Sequence, residues 1–196
     1  VGFNRRFSSF VQDVLQHYTT PTPKVIHIRV NAGSLPQDHW QNDPLQGGGR
    51  ILGEVCHFLD LLCYLAGSPA RSLAAAGMGK GSARNEENAV ISVSFEDGSV
   101  GSIVYTSQGD SRFPKERVEV FGNGSVAVIE DFVSGEIVSG GKSRKLGRRE
   151  KDKGQAEMLK RLVDSLASGG PPIIPFEDLV QSTHLSLLAL ESLASG

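Results

Sequence analysis

Two strand pairs joined by tight glycine turns constrain the fold of this chain more than any other feature. From Val90 to Thr106 apolar and polar residues alternate with the period of a half-buried strand, and Asp97-Gly98 interrupts the alternation with a hairpin turn. A second pair, Val118 to Phe121 and Val126 to Ile129, flanks Gly122-Asn123-Gly124. These pairs predict an antiparallel sheet, because such connections are too short for a parallel crossover.

The rest of the chain adds further strands and several helices. Strands are also predicted at Lys24 to Asn31, at Leu73 to Met78 and across Ile137 to Leu146, which gives six to eight in total. Apolar positions three and four residues apart predict four helices, after Ser9, at Arg50 to Leu65, at Gly154 to Ala167 and at Phe176 to Leu193. The predicted fold class is α+β: a single domain over residues 1–196 with an open, mostly antiparallel sheet and helices packed on one face.

Composition excludes several classes of function. The chain has 20 Lys plus Arg against 22 Asp plus Glu, so we expect neither nucleic acid nor a membrane surface as partner. The most apolar segment, Ile51 to Ala66, is interrupted by Glu54, His57 and Asp60 and is not expected to span a membrane. Cys56 and Cys63 lie seven residues apart in one predicted helix, too far for a disulfide, which favours a reducing, cytoplasmic setting.

A glycine-rich run from Gly77 to Ser82 fits neither common nucleotide-binding pattern. A P-loop needs Ser or Thr directly after its lysine, where this chain has Gly81. A dinucleotide fingerprint needs its last glycine where Ser82 stands, followed by an amphipathic helix. We therefore expect that this chain does not build a nucleotide site alone.

Ionisable residues are concentrated on the second predicted helix, which is otherwise apolar almost all round. Glu54, His57 and Tyr64 follow a spacing that places them on one side, with Asp60 close by. Such groups are costly to bury unless they bind metal, form a structural network or line a cleft. No metal is expected, because a Glu-x-x-His site of the di-iron type needs a second copy that the sequence lacks. The remaining alternatives are a structural network and a catalytic cleft with His57 as acid or base.

Residues Gly47 to Asp60 resemble the active-site helix of the glucose-fructose oxidoreductase / inositol dehydrogenase / rhizopine catabolism (Gfo/Idh/MocA) family. Val1 to Phe7 and the strand pair from Glu116 to Gly124 also match. The resemblance covers the whole chain as that family's C-terminal substrate-binding and oligomerisation domain. Within the family, the chain most resembles the C-terminal part of bi-domain oxidoreductases, in which this unit follows a zinc alcohol dehydrogenase-like region. The resemblance implies that the Rossmann domain is absent from this chain, a C-terminal fragment of a longer enzyme.

The resemblance implies an oxidoreductase that uses NAD or NADP on the CH–OH group of a sugar, polyol or nucleotide sugar. The family's catalytic histidine corresponds to His57, which takes the hydroxyl proton as hydride leaves the same carbon. The family's common acid four residues earlier is Gly53 here, and the neighbouring Glu54 is the candidate to replace it. The alternative function is a noncatalytic module for oligomerisation or sugar binding.

Other polar residues are weaker candidates for contacts at the site. The candidates for substrate binding are Arg5, Arg6, Trp40, Asp60 and Lys115, and the candidate for cofactor binding is Asn4. A structural role between domains is the alternative for Asn4, Arg5 and Arg6, and a packing role is the alternative for Trp40. A homodimer or tetramer through the uncovered sheet face is expected, because helices on one side leave the other side without a partner.

Overall fold

One eight-stranded sheet organises the part of the chain that the structure, a computed structural model, describes: residues 2–36, 38–42, 46–79, 86–148 and 150–195. The strands are β1 (Val25–Asn31), β2 (Ala70–Gly77), β3 (Asn88–Phe95), β4 (Val100–Thr106), β5 (Glu116–Gly122), β6 (Ser125–Glu130), β7 (Ser134–Ser139) and β8 (Lys142–Gly147). Their order across the sheet is β2-β3-β4-β1-β5-β6-β7-β8.

The sheet is mixed, because one of its pairs is parallel. All other neighbours are antiparallel, as predicted, but β1 lies parallel to β4 with Val25 opposite Val100. This pair arises because β1 enters between the β3–β4 hairpin and the β5–β8 meander, an insertion that strand alternation does not reveal. Both predicted glycine turns form: Gly98 has a φ of 85°, and Asn123 and Gly124 have φ of 48° and 68°.

All four predicted helices are found in the described residues. They are α1 (Ser9–His17), α2 (Cys56–Ala66), α3 (Gln155–Ser168) and α4 (Phe176–Ser195), with a π-helical segment at Ile51–Val55 and short 3-10 turns at Asn4–Phe7 and Trp40–Asn42. The first helix is capped by Ser8 rather than Ser9, since the Ser8 hydroxyl accepts a bond from the Phe10 N–H at 3.2 Å. No helix in the described ranges has both the length and the hydropathy of a membrane span.

The larger of two hydrophobic clusters in the described residues lies between the sheet and the helices. It joins the inward positions of the strands to the apolar faces of α1, α2 and α4, and its largest fully buried side chains include Phe10, Phe58, Phe95, Tyr105 and Ile28. The opposite face of the sheet carries no helix of the described chain and faces solvent. The expectation of helices on one face of an open sheet is thereby confirmed.

The two free edges of the sheet are protected in different ways. On β2, the Ala70 N–H donates to Gln181 at 3.0 Å, and Ser192 accepts from the Ala75 N–H at 2.8 Å. Both partners belong to α4, which therefore covers this edge. The β8 edge is instead rich in lysine and arginine. Covering and charge are both common means of preventing edge-to-edge pairing.

Helix α3 differs from the expectation for an amphipathic helix. Its apolar stripe is directed to solvent: Val163 is 62% exposed and Leu166 is 74% exposed, and no residue of the helix is buried. The spacing of the stripe was predictable, but the surface that it would pack against is not present in the described chain. The glycine-rich run that begins at Gly77 continues from residue 80 outside the described residues, as does Val1.

Helix α2 is held at its C-terminus and in its middle by long-range polar bonds. At its C-terminus Gly67 has a φ of 70°, and the buried Lys24 ammonium donates to the Ala66 carbonyl at 2.9 Å. In its middle, Asp60 accepts bonds from two nitrogens of Arg6, while a third nitrogen of Arg6 donates to Asp178 at 2.7 Å. Arg6 therefore connects the first turn of the chain to α2 and α4.

Replacing Asp60 by asparagine should destabilise the fold strongly. The variant leaves the buried Arg6 charge with only the half-exposed Asp178, and breaking one side of a buried pair costs about 3 kcal/mol. Urea unfolding of Asp60→Asn measures the change. The matched control is Glu157→Gln in an exposed ion pair on α3, which should leave the free energy of unfolding nearly unchanged. Equal stability of both variants would contradict the role given to Asp60.

Candidate functional site

The segment that carries the candidate site begins as a π-helix. Ile51–Val55 forms this wider turn and passes directly into α2. Gly48 and Gly49, with φ of 68° and 85°, turn the chain into the helix, and the Glu86 carboxylate accepts the backbone N–H of Ile51 at 3.4 Å. Isolated π turns inside helices are found frequently at functional sites. The 3.6-residue periodicity predicted a helix here but could not distinguish the π form.

Three donors surround the carboxylate of Glu54. The Tyr105 hydroxyl donates to Oε2 at 2.6 Å, Lys115 Nζ lies 2.7 Å from Oε1, and a guanidinium nitrogen of Arg50 lies 3.4 Å from Oε2. Burial favours a higher pKa, but the bonds from Lys115 and Tyr105 and the charges of Lys115 and Arg50 lower the pKa of Glu54. Glu54 is therefore an ionised acceptor at neutral pH and does not act as a proton donor.

His57 follows Glu54 by three residues and is half-buried. Its ring meets Phe3 edge-on, with the ring centroids 5.6 Å apart. Its Nδ1 is buried and has no hydrogen-bond partner among the described residues. Burial and the charge of Arg5 lower the pKa of His57 to about 4, although Glu54 and Glu116 act in the opposite direction. The imidazole is consequently neutral near pH 7 and able to accept a proton.

A buried ion pair lies near His57. Arg5 donates to Glu116 through two nitrogens at 2.7 and 3.0 Å, and Lys153 pairs with the same carboxylate. The guanidinium also lies 4.3 Å from the ring centroid of Phe58. Burial alone would raise the pKa of Glu116, but Arg5 and Lys153 lower it to about 2. The Arg5 guanidinium is thus already bonded to Glu116. Its contact with substrate stays a prediction, and it would require the guanidinium to bond Glu116 and the substrate together.

Arg6 and Asp60 form a second network, on the side of α2 that packs against α4. The Asp60 side chain has no exposed surface, and Arg6 lies 4.7 Å from the ring centroid of Tyr64. Burial raises the pKa of Asp60, and the bonds from Arg6 oppose that shift. The ionisable residues predicted on one side of the helix therefore divide into two groups, Glu54 with Lys115 and Asp60 with Arg6. Substrate contacts by Arg6 and Asp60 stay predictions.

The remaining candidates differ in how accessible they are. Asn4 is nearly buried, and its side-chain nitrogen donates to the Lys153 carbonyl at 2.6 Å. Trp40 is 56% exposed, on a 3-10 turn beside His39. Lys115 is partly exposed and is held at the site by Glu54. The structure therefore brings Lys115 next to the predicted active-site helix, whereas cofactor contact by Asn4 and substrate contact by Trp40 stay predictions.

The sequence reasoning missed several residues that shape the site: Arg50, Tyr105, Glu116 and Gln41. Arg50 stands four residues before Glu54, a spacing that permits an ion pair on one helix face. Glu116 shares its strand face with Val118 and Val120, so the alternation marks it as a charge pointing into the core. No sequence signal could have placed Gln41, since it belongs to a loop turn.

The described residues contain no group of three or more His, Cys, Asp or Glu side chains suited to a metal. A cleft of about 400 Å³ lies between α2 and the start of α4, and a groove of about 530 Å³ lies between α4 and β2. Neither is lined by His57 or Glu54. The candidate site is therefore distinct from both of these cavities.

Similar folds occur among solved structures of dehydrogenases and oxidoreductases. UDP-N-acetylglucosamine 3-dehydrogenase from Acidithiobacillus ferrooxidans matches 99% of this chain at 16% identity with a TM-score of 0.80. The aldose-aldose oxidoreductase from Caulobacter crescentus matches 100% at 16% identity with a TM-score of 0.81. A protein titled as an NADPH-dependent oxidoreductase, from Desulfitobacterium hafniense, matches 99% at 15% identity with a TM-score of 0.76.

At these identities the likeness shows the fold alone. The chain spans 61%, 61% and 62% of the lengths of those three proteins. A search of curated protein sequences gives no match. Residues 11–127 match the family model of the GFO/IDH/MocA C-terminal domain. The match covers more than half of the sequence, and the chain therefore belongs to the GFO/IDH/MocA oxidoreductase family as its C-terminal domain.

Proposed function

We propose that this chain is the substrate-binding half of an NAD(P)-dependent oxidoreductase acting on a CH–OH group of a sugar, polyol or nucleotide sugar. The observation that carries the proposal is the half-buried, neutral His57, with a pKa of about 4, beside the ionised Glu54. A neutral imidazole on the helix that matches the family can accept a hydroxyl proton, although a pKa this low makes it a weaker base than an ordinary histidine. The names of two similar proteins, a nucleotide-sugar dehydrogenase and an aldose oxidoreductase, support the substrate class.

In the oxidation direction, the CH–OH group of the substrate loses its hydroxyl hydrogen as a proton and its carbon-bound hydrogen as a hydride. The O–H bond breaks and its proton passes to His57, while the C–H bond breaks and its electron pair leaves as hydride, so that a carbonyl forms. A bound nicotinamide supplies the hydride acceptor. The carboxylates of Glu54 and Glu116 raise the pKa of the imidazole and so favour the imidazolium that forms. Glu54 also holds Lys115, which leaves the ammonium partly exposed where substrate oxygens could bind.

We assign dinucleotide binding to a separate domain. The sequence offers no glycine turn of the required pattern, and the name of one similar protein includes dependence on NADPH. The exposed apolar stripe of α3 supports an additional domain, because such a stripe normally packs against something. In this proposal, the chain contributes the surface around His57, and the nicotinamide would approach the reacting carbon at that surface. A zinc alcohol dehydrogenase-like region as part of the same enzyme stays a prediction.

We also propose that the chain self-associates through the open face of its sheet. A row of apolar side chains crosses five strands in register on that face: Val100, Val25, Phe121, Val126 and Val138. Four of the five are at least 39% exposed. Because the row is continuous across five strands, it fits an interface between two copies. The same observation supports the noncatalytic alternative, in which assembly would be the chain's only role.

His57→Asn tests the proposed activity in the enzyme that contains the nicotinamide-binding domain. We expect kcat to fall by roughly 10²- to 10⁴-fold, the usual size of general acid-base assistance, with an unchanged melting temperature. The matched control is His184→Asn, because His184 is exposed on α4 away from Glu54. Equal turnover of the wild type and His57→Asn would contradict the catalytic role and favour the noncatalytic module.

Phe121→Lys tests the sheet-face interface. We expect the wild-type chain at tens of micromolar to sediment above 21.0 kDa, as a dimer or tetramer. Phe121→Lys should weaken that association at least tenfold, because it places a charge in the middle of the apolar row. The control is Leu166→Lys on the exposed stripe of α3. A wild-type monomer, or association lost only in the α3 variant, would contradict the proposal.

A further inference from the structure

The loop turn that carries Gln41 is shaped around two glycines. A Cβ atom on Gly47 would lie 2.3 Å from Gln41 Cα and 2.5 Å from the Trp40 carbonyl oxygen. No real Cβ contact is that short, so the backbone of this turn packs directly on Gly47. A Cβ atom on Gly53 would lie 2.8 Å from Gln41 Nε2. The backbone of Gln41 thus packs on Gly47, and its carboxamide occupies the space beside Gly53.

The position of Gly53 puts that carboxamide next to the candidate site. Gly53 precedes His57 by four residues, close to one turn of the segment that passes from the π-helix into α2, so the two lie on roughly the same side of the helix. Glu54 follows Gly53 directly. A side chain resting on Gly53 therefore borders the surface that His57 presents. The half-buried Gln41 lies on the same short turn as the exposed Trp40.

The chemistry of the carboxamide suits a neutral, hydroxylated ligand. It has two N–H donors and one carbonyl acceptor, and it carries no charge at any pH. Within the described ranges no hydrogen bond engages this side chain. Contact with a hydroxyl of a sugar would satisfy its donors, and a site built to bond a hydroxyl discriminates strongly against ligands that lack it. A carboxylate at the same place would instead add charge beside Glu54.

We propose that Gln41 is a substrate-contacting, specificity-determining residue, whose carboxamide hydrogen-bonds a hydroxyl or other neutral polar group near the carbon that reacts at His57. The inference rests on the proposed function, because it takes a sugar or nucleotide sugar as the ligand. It adds a residue from the loop before the active-site helix. It also explains why position 53 is a glycine, because the Gln41 carboxamide fills the space that a side chain there would need.

Gln41→Ala tests the contact by binding rather than by turnover. The enzyme that contains the nicotinamide-binding domain is titrated with UDP-N-acetylglucosamine and, separately, with glucose, and binding is followed by ¹H–¹⁵N NMR, including the glutamine side-chain amides. We expect one of these probes to shift the Gln41 amide signals, and Gln41→Ala to raise its Kd about tenfold with an unchanged melting temperature. The matched control, Gln155→Ala at the exposed start of α3, should leave Kd unchanged.

Gly53→Ala supplies the second arm. Its methyl group would displace the Gln41 carboxamide, so we expect weaker binding in Gly53→Ala and no further loss when Gln41→Ala is combined with it. Binding by the wild type that neither Gln41→Ala nor Gly53→Ala weakens would overturn the inference and leave the proposed function standing. A wild-type enzyme that binds neither probe would contradict the proposed substrate class, and the Gln41 inference with it.

Discussion

Buried ion pairs made by two consecutive arginines hold the helix on which the candidate site depends. Arg5 binds Glu116 at the start of β5, and Arg6 binds Asp60 on α2 and Asp178 on α4. One short turn at the beginning of the chain therefore connects the sheet, α2 and α4. Buried pairs of this kind are specific in geometry because an unpaired partner would be costly. The position of His57 relative to the sheet follows from these two pairs.

The same charges set the chemistry of His57. Burial and the charge of Arg5 disfavour the imidazolium, whereas Glu54 and Glu116 favour it, and the outcome is an imidazole that is neutral at pH 7 with two carboxylates nearby. Glu54 is not the base, because Tyr105, Lys115 and Arg50 keep its carboxylate ionised and occupied. Its charge instead raises the pKa of His57, and the same carboxylate pairs with the partly exposed Lys115. A structural network and the proposed catalytic residue thus lie on one helix.

Local patterns in the sequence predicted the strands, the two glycine turns and the four helices, because alternation and helical spacing depend on neighbours along the chain. The parallel β1–β4 pair and the exposed stripe of α3 depend on which segments meet in space, and no local pattern reports that. At the candidate site, the sequence named His57, Glu54 and Lys115, and the structure places Lys115 against Glu54. Tyr105 and Gln41 were not, because a tyrosine in a strand and a glutamine in a loop resemble ordinary residues until the fold brings them to the helix.

The claim that burial and the nearby charges keep His57 neutral is tested most directly by measuring the pKa of its imidazole. Histidine-labelled chain is titrated by NMR, and the His57 signal is assigned by its loss in His57→Asn. The account predicts a pKa of about 4, and a still lower value in Glu54→Gln, because the Glu54 charge raises it. A wild-type pKa at the ordinary value near 6.5, unaffected by Glu54→Gln, would contradict the account.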